Sequence, residues 1–240
     1  MTMAAVINAE RIKLTTVRSP LWATVAAAVL SFGIAALQAA TASDYEQLTA
    51  PTAALGVAVF GVLVLMIVAA MTVTGEYRTG MVRTTFMASP SRSLVLAAKA
   101  VVAAVFSGVV AAIMVLGSVL VARIGLADAW RTTAAIALYA TLAAVLGVGV
   151  ATLLRHTAGA VAVLLLWPLL IEPLLGNLPG RGPQIGPYLP FANMFRFLDV
   201  QWLFPTYAAP WGPLGSLGYF TVIVLGVFVT AVVVVNRRDA

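Results

Sequence analysis

GEYRTGMVRTTFMASPSRSLVLAAK, residues 75–99, lies between two strongly apolar blocks and gathers Glu76, Arg78, Arg83, Arg92 and Lys99 into one connection. The chain as a whole is 62% hydrophobic and only 9% charged, whereas an ordinary soluble domain carries about 25% Asp, Glu, Lys and Arg. Such a chain uses lipid as its solvent, and charge concentrated in one connection marks a point where the polypeptide leaves that solvent. The flanking blocks are therefore read as membrane spans.

Working outward, a bilayer core of about 30 Å needs roughly 20 apolar residues in a helix. Six segments qualify, near residues 21–40, 52–74, 95–121, 132–154, 157–175 and 215–235. The expectation is an all-α integral membrane protein in which residues 1–240 form a single transmembrane domain. The third segment is longer than a span requires, so its first turns protrude and Lys99 snorkels to the surface. A basic region ahead of an apolar run, followed by AATAS at residues 39–43, has the look of a signal peptide. The run from Leu21 to Ala40 exceeds the roughly 7–15 residues of a signal h-region, so it is read as a retained helix.

There is no cysteine, which removes disulfides and thiol metal sites. The net charge of +6 is not a nucleic-acid signature, because the basic residues sit at the ends of apolar blocks rather than in a patch. With six spans both termini share a side. Arg11, Lys13, Arg18, Arg78, Arg83, Arg92, Lys99, Arg155, Arg237 and Arg238 fall on it, against Arg123, Arg131, Arg181 and Arg196 on the other. By the positive-inside rule both termini and residues 75–93 are cytoplasmic.

Residues 1–19 suit an amphipathic helix on the inner surface. At about 100° per residue, Met3, Val6, Ile7, Leu14 and Val17 fall in one arc of roughly 100°, flanked by Lys13 and by Arg11 and Arg18. Glu10 falls inside that arc. Either it pairs with Lys13 three residues on, or it meets a cation from another segment, for which Arg78 and Arg83 are the candidates. Pro20 separates this helix from the first span. In the connection itself, Gly75 and Gly80 let the second span unwind, and Met81 to Ala88 make two helical turns. Ser89 and Pro90 stop them, and Ser91 or Ser93 caps the third span.

Between the last two spans, residues 176–214 hold seven prolines and five glycines, a loop composition. Within them FANMFRFLDVQW spaces Phe191, Met194, Phe195, Leu198 and Trp202 as one helical face, with Asn193, Arg196 and Gln201 elsewhere around the helix. That predicts an amphipathic or re-entrant helix at the outer interface. Glu172 is the only acid inside a span. An intramembrane carboxylate is a functional candidate by default; beside Pro173 at the outer end, its expected role is to steady an outer gate together with Phe195 and Trp202, and Pro168 is expected to kink the same helix beside a cavity. The lone His156 follows Arg155 at a cytoplasmic end, an interfacial position unsuited to an intramembrane serine protease, which needs serine and histidine on facing helices. Without clustered ligands no metal site is expected. Ala143, Gly147 and Ala151 form a small-residue stripe suited to close helix packing.

EYRTGMVRTTFMASPSRSLVLAAK resembles the connection between the second and third spans of the type-2 ATP-binding-cassette (ABC) exporter permeases, particularly actinobacterial ones. Glu76, Tyr77, Arg78, Gly80, Thr84, Thr85, Pro90, Arg92 and Lys99 carry the resemblance, and Met81 departs from it where Thr is usual. AERIKLTTVRSP, through Glu10, Lys13, Arg18, Ser19 and Pro20, and the ending RRDA are similar to the family too, so the likeness covers the whole chain. It implies a permease subunit of the bacterial plasma membrane that forms the translocation pathway as a dimer with an identical or homologous second permease. It also implies coupling through Glu76, Tyr77, Arg78, Arg83, Thr84, Thr85 and Arg92 to two copies of a separate P-loop ATPase subunit, with Glu10 and Lys13 bracing the connection. ATP and Mg would be bound by that partner. In this chain the only lysines, Lys13 and Lys99, are followed by Leu and Ala, so there is no Gly-Lys-Ser/Thr phosphate loop and no enzyme activity is expected of it. Two other classes stay open: an ion-coupled secondary transporter or channel working without an ATPase, which would want midplane acids and often an internal repeat, and a non-transporting scaffold subunit.

Overall fold

In a computed structural model, residues 2–42, 48–88, 91–200 and 207–237 are described, apart from the side chains at positions 83, 86, 88 and 128. The described residues form helices and no strand. An amino-terminal helix, Met3–Thr16, precedes six helices long and apolar enough to cross a membrane: Arg18–Thr41, Val57–Thr79, Arg92–Val121, Trp130–Leu154, Thr157–Gly176 and Pro213–Arg237. They are called spans one to six below. A loop helix, Met81–Ala88, joins spans two and three, and an outer helix, Pro190–Leu198, stands between spans five and six.

Spans two and four make the core, and the others lie around them with large lipid-facing surfaces. In lipid there is no hydrophobic drive between helices, so close packing needs small side chains that let backbones approach. Span four supplies them. A Cβ at Gly147 would collide with the Met66 carbonyl oxygen of span two, and one at Gly149 would press on the Val227 side chain of span six. Ala143, Gly147 and Ala151 are all buried, so the stripe packs spans two and four within one chain.

Three local expectations give way. Gly75 stays helical, and span two runs on to Thr79; the break comes at Gly80, whose φ of +71° is the left-handed C-cap conformation open to glycine. Glu76, Tyr77 and Arg78 are thus the last turn of a span, not part of a loop. The amino-terminal helix is separated from span one at Val17, whose extended backbone interrupts the two helices, while Pro20 sits in the first turn of the span, where its missing N–H costs nothing. Ser91 occupies the N-cap of span three, yet its side chain makes no capping hydrogen bond.

Span five departs from regular α-helix at the proline where a kink is expected. Trp167–Ile171 is a π-helical turn containing Pro168, and Glu172 follows it directly. Proline cannot donate to the ladder, and a π turn is one way a helix absorbs that loss. The outer helix is more deeply placed than an interfacial helix: Phe191, Ala192, Asn193, Met194, Phe195 and Leu198 are all buried. It is wedged against spans four and six by edge-to-face contacts of Tyr139 with Phe191, Phe195 and Phe220, at ring separations of 6.0–6.5 Å. Tyr139 lies nine residues into span four, roughly 13 Å along a helix rising 1.5 Å per residue. The segment is therefore packed into the helix bundle and does not run as a free loop.

Candidate functional site

The loop helix end of the molecule holds a closed ring of four charges. Lys99 Nζ of span three donates to Glu10 Oε2 and to Glu76 Oε1, both at 2.7 Å. Lys13 Nζ donates to Glu10 Oε1 and to Glu76 Oε1, both at 2.8 Å. Two acids and two bases make the ring neutral, and each lysine bridges the same two carboxylates. Lys99 and Glu10 are 5% exposed and Glu76 11%, whereas Lys13 at 39% closes the ring from the solvent side.

The four charges come from three helices, Glu10 and Lys13 from the amino-terminal helix, Glu76 from span two and Lys99 from span three. Val6, Glu10 and Leu14, four residues apart, are the buried side chains of the amino-terminal helix, and Val6 packs on Val95 and Ala98 of span three. That contact sets Glu10 beside Lys99, one turn further along both helices. Glu76 arrives from the last turn of span two, and its second oxygen accepts from the Thr85 hydroxyl of the loop helix at 3.5 Å. The third Lys99 proton is directed at the Thr72 carbonyl, 3.4 Å away. Four elements therefore meet at one neutral cluster. Burial works against the Lys13 ammonium, but hydrogen bonds and charge from Glu10 and Glu76 outweigh it and hold its pKa above the ordinary 10.5.

Both readings of Glu10 hold together: it pairs with Lys13 on its own helix and with a cation from another segment. Among the described side chains that cation is Lys99, and not Arg78. Lys99 does not snorkel to the surface; the amino-terminal helix covers it and two carboxylates neutralise it where it lies. Arg78 is exposed at the end of span two, Thr84 is exposed on the loop helix, and the Arg83 side chain lies outside the description. Tyr77 packs against the core and receives the guanidinium of Arg155, 5.3 Å from its ring centre. Arg155 ends span four in a left-handed conformation, φ 56°. Arg92 donates to the Val235 carbonyl of span six at 3.2 Å. Tyr77 and Arg92 flank the ring, so the cluster is tied to spans two, three, four and six. Arg155 and Lys99 are the residues that sequence reasoning left out of this site. His156 caps span five, its Nδ1 accepting from the Gly159 N–H at 3.2 Å.

A second polar site lies at the other end. Glu172, fully buried, accepts from the Trp167 indole at 2.8 Å, and from the Phe191 and Ala192 amides at 2.9 and 3.2 Å. Its carboxylate caps the outer helix, satisfying two amides that have no partner inside the helix and meeting the positive end of its dipole. Asn193 completes the anchorage, donating to the Pro187 and Leu189 carbonyls and accepting from the Trp211 indole at 2.9 Å. Phe195 belongs to the aromatic wedge; Trp202 lies outside the described residues.

Compared with family models and with curated proteins, the sequence matches no family model and none of the curated proteins.

Proposed function

We propose that this multi-pass membrane protein is the permease subunit of an ATP-driven ABC exporter, driven from the membrane face that carries the four-charge ring. The observation that carries the proposal is the ring itself. It joins the amino-terminal helix, the end of span two, the loop helix and the start of span three, so a protein that grips the loop helix moves four elements together. Breaking one member of a buried ion pair costs about 3–5 kcal/mol, so the ring behaves as a rigid joint under the forces a docked ATPase can exert. Tyr77 with Arg155 extends the joint to span four, and Arg92 with Val235 extends it to span six.

At the opposite end, Glu172 ties the outer helix to span five, and the aromatic wedge ties it to spans four and six. A movement of spans two, three and four relative to span five would load those ties and open a path beside the outer helix. Two permeases, identical or homologous, would share that path, and two P-loop subunits would supply ATP and Mg. Both termini then lie in the cytoplasm of a bacterial cell. The exposed Arg78 and Thr84, with Arg83, form the docking surface, while Glu10, Lys13, Glu76, Thr85 and Lys99 keep it rigid.

The test is to purify the tagged protein in mild detergent from its native host and identify stoichiometric companions by mass spectrometry, beside the Arg78→Glu/Arg83→Glu variant. A P-loop ATPase present with the parent and lost from the variant is the expected result. A monodisperse parent without any ATPase would refute the proposal and favour a stand-alone transporter.

A further inference from the structure

Spans five and six both rest on span four but barely touch each other. Between them lies a cavity of about 210 Å³ walled by Val150 of span four, Val163 and Trp167 of span five, Phe191 of the outer helix, and Ile223 and Val227 of span six. Its lining offers no free polar group, because the indole N–H of Trp167 is given to Glu172. Apolar cavities of about 150 Å³ stay dry and take benzene, and an empty one forfeits dispersion on every wall. This one does not close by collapse: the same carboxylate holds Trp167 on one wall and Phe191 on the other.

The cavity is also placed for a particular occupant. Its walls follow the helices for one to two turns, Leu146 to Val150 on span four, Val163 to Pro168 on span five and Phe220 to Val227 on span six, the direction in which a lipid chain lies. The flanks are lipid-facing: Leu166, Leu170 and Val222 are exposed beside it. Ten residues beyond Val227, about 15 Å further along span six at 1.5 Å per residue, Arg237 is exposed in the last turn, a cation suited to a phosphodiester.

We propose that this cavity holds one acyl chain of an anionic phospholipid from the leaflet bounded by Arg237. Bound there, the chain is a structural member of the wall that supports the outer helix. This inference stands apart from the export proposal, since a scaffold or ion-coupled protein with the same helices would bind the same lipid.

Trp167 is a built-in reporter. In a variant whose other tryptophans are replaced by Phe, lipid-depleted micelles are titrated with phosphatidylglycerol carrying brominated chains, which quench indole fluorescence on contact. Saturable quenching at about one lipid per chain is expected, with phosphatidylcholine weaker and the preference abolished by Arg237→Gln. Val150→Phe or Ile223→Phe, chosen for elution like the parent, fills the space and should raise the half-quenching concentration at least about tenfold, by removing several methylene contacts. Unsaturable quenching, or quenching equal in parent and filled variant, overturns the proposal. Quenching by a brominated alkane but not by lipid would assign the cavity to small apolar solutes and overturn it too. Equal response to both headgroups, unchanged by Arg237→Gln, overturns the anionic assignment.

Discussion

Lys99→Met keeps most of the side chain's length and removes its charge from the ring. The ammonium contacts two carboxylates at 2.7 Å, and all three groups are 5–11% exposed. At an effective dielectric near 20, unit charges about 4 Å apart attract by about 4 kcal/mol, so about 8 kcal/mol of gross attraction is lost. The variant no longer desolvates an ammonium, which returns several kcal/mol, and Lys13 still neutralises one carboxylate. One uncompensated charge shared by Glu10 and Glu76 is left, a situation that costs about 3–5 kcal/mol. The cost falls on docking of the amino-terminal helix, because Glu10 is one of its three buried side chains. An isolated helix of this length is marginal in water, so undocking exposes its amides. At one decade per 1.36 kcal/mol, amides 6–14 should exchange with deuterium between about two and four orders of magnitude faster. Amides 143–151 in span four should not change. Glu10→Gln together with Lys99→Met leaves Lys13 and Glu76 as a neutral pair, so the double variant should exchange at least about tenfold more slowly than the sum of the singles implies. Acceleration below about tenfold, equal acceleration in span four, or strict additivity would refute the ring as the joint holding this helix.

Further outcomes follow from single contacts. Gly147→Ala should lower the thermal midpoint in detergent by the equivalent of at least about 2 kcal/mol, because its Cβ meets a backbone carbonyl that cannot rotate away. Gly75→Ala, with nothing near its Cβ, should raise stability by about 0.5–1 kcal/mol; equal shifts in the two variants would contradict the packing of spans two and four. Glu172→Gln offers an amide where three donors converge and should loosen the outer helix by about 1.5–3 kcal/mol, read as faster exchange of amides 191–198. For pH, a folded pKa raised above the unfolded value means that the Lys13 contribution is complete below the ordinary 10.5 and is lost as pH rises through the higher folded value. Protection of amides 6–14, corrected for intrinsic exchange, should hold between pH 7 and about 9.5, and a selective loss there would show that Lys13 is not held by the two acids.

The six spans were legible because length and hydropathy are enough to count helices in lipid, and the loop helix was legible because Gly80 precedes it and two turns follow. Span two overran its expected end because glycine inside a helix costs only about 1 kcal/mol, which packing overrides at Gly75. The outer helix was placed by its apolar spacing, but its depth was not, since that depends on Tyr139 and Phe220 from spans far off in sequence.

Lys99 is the instructive miss. A basic residue early in an overlong span invites snorkelling, and span length alone supports that. The helical spacing says otherwise: Val95, Lys99 and Ala103, four residues apart, are all buried along span three, as Val6, Glu10 and Leu14 are along the amino-terminal helix. Each stripe carries one charge at its centre, and the two charges are opposite. A charge centred in an apolar stripe must either reach water or find a counter-charge, and a second stripe of the same period with the opposite sign supplies one in register. On span three only burial marks that stripe, since residues 94–106 are apolar all round apart from Lys99, so the sequence allows the pairing without singling it out. What no pattern within either stripe contains is Glu76, because it comes from the end of a third helix, and only the way spans two and three pack on span four brings that end alongside.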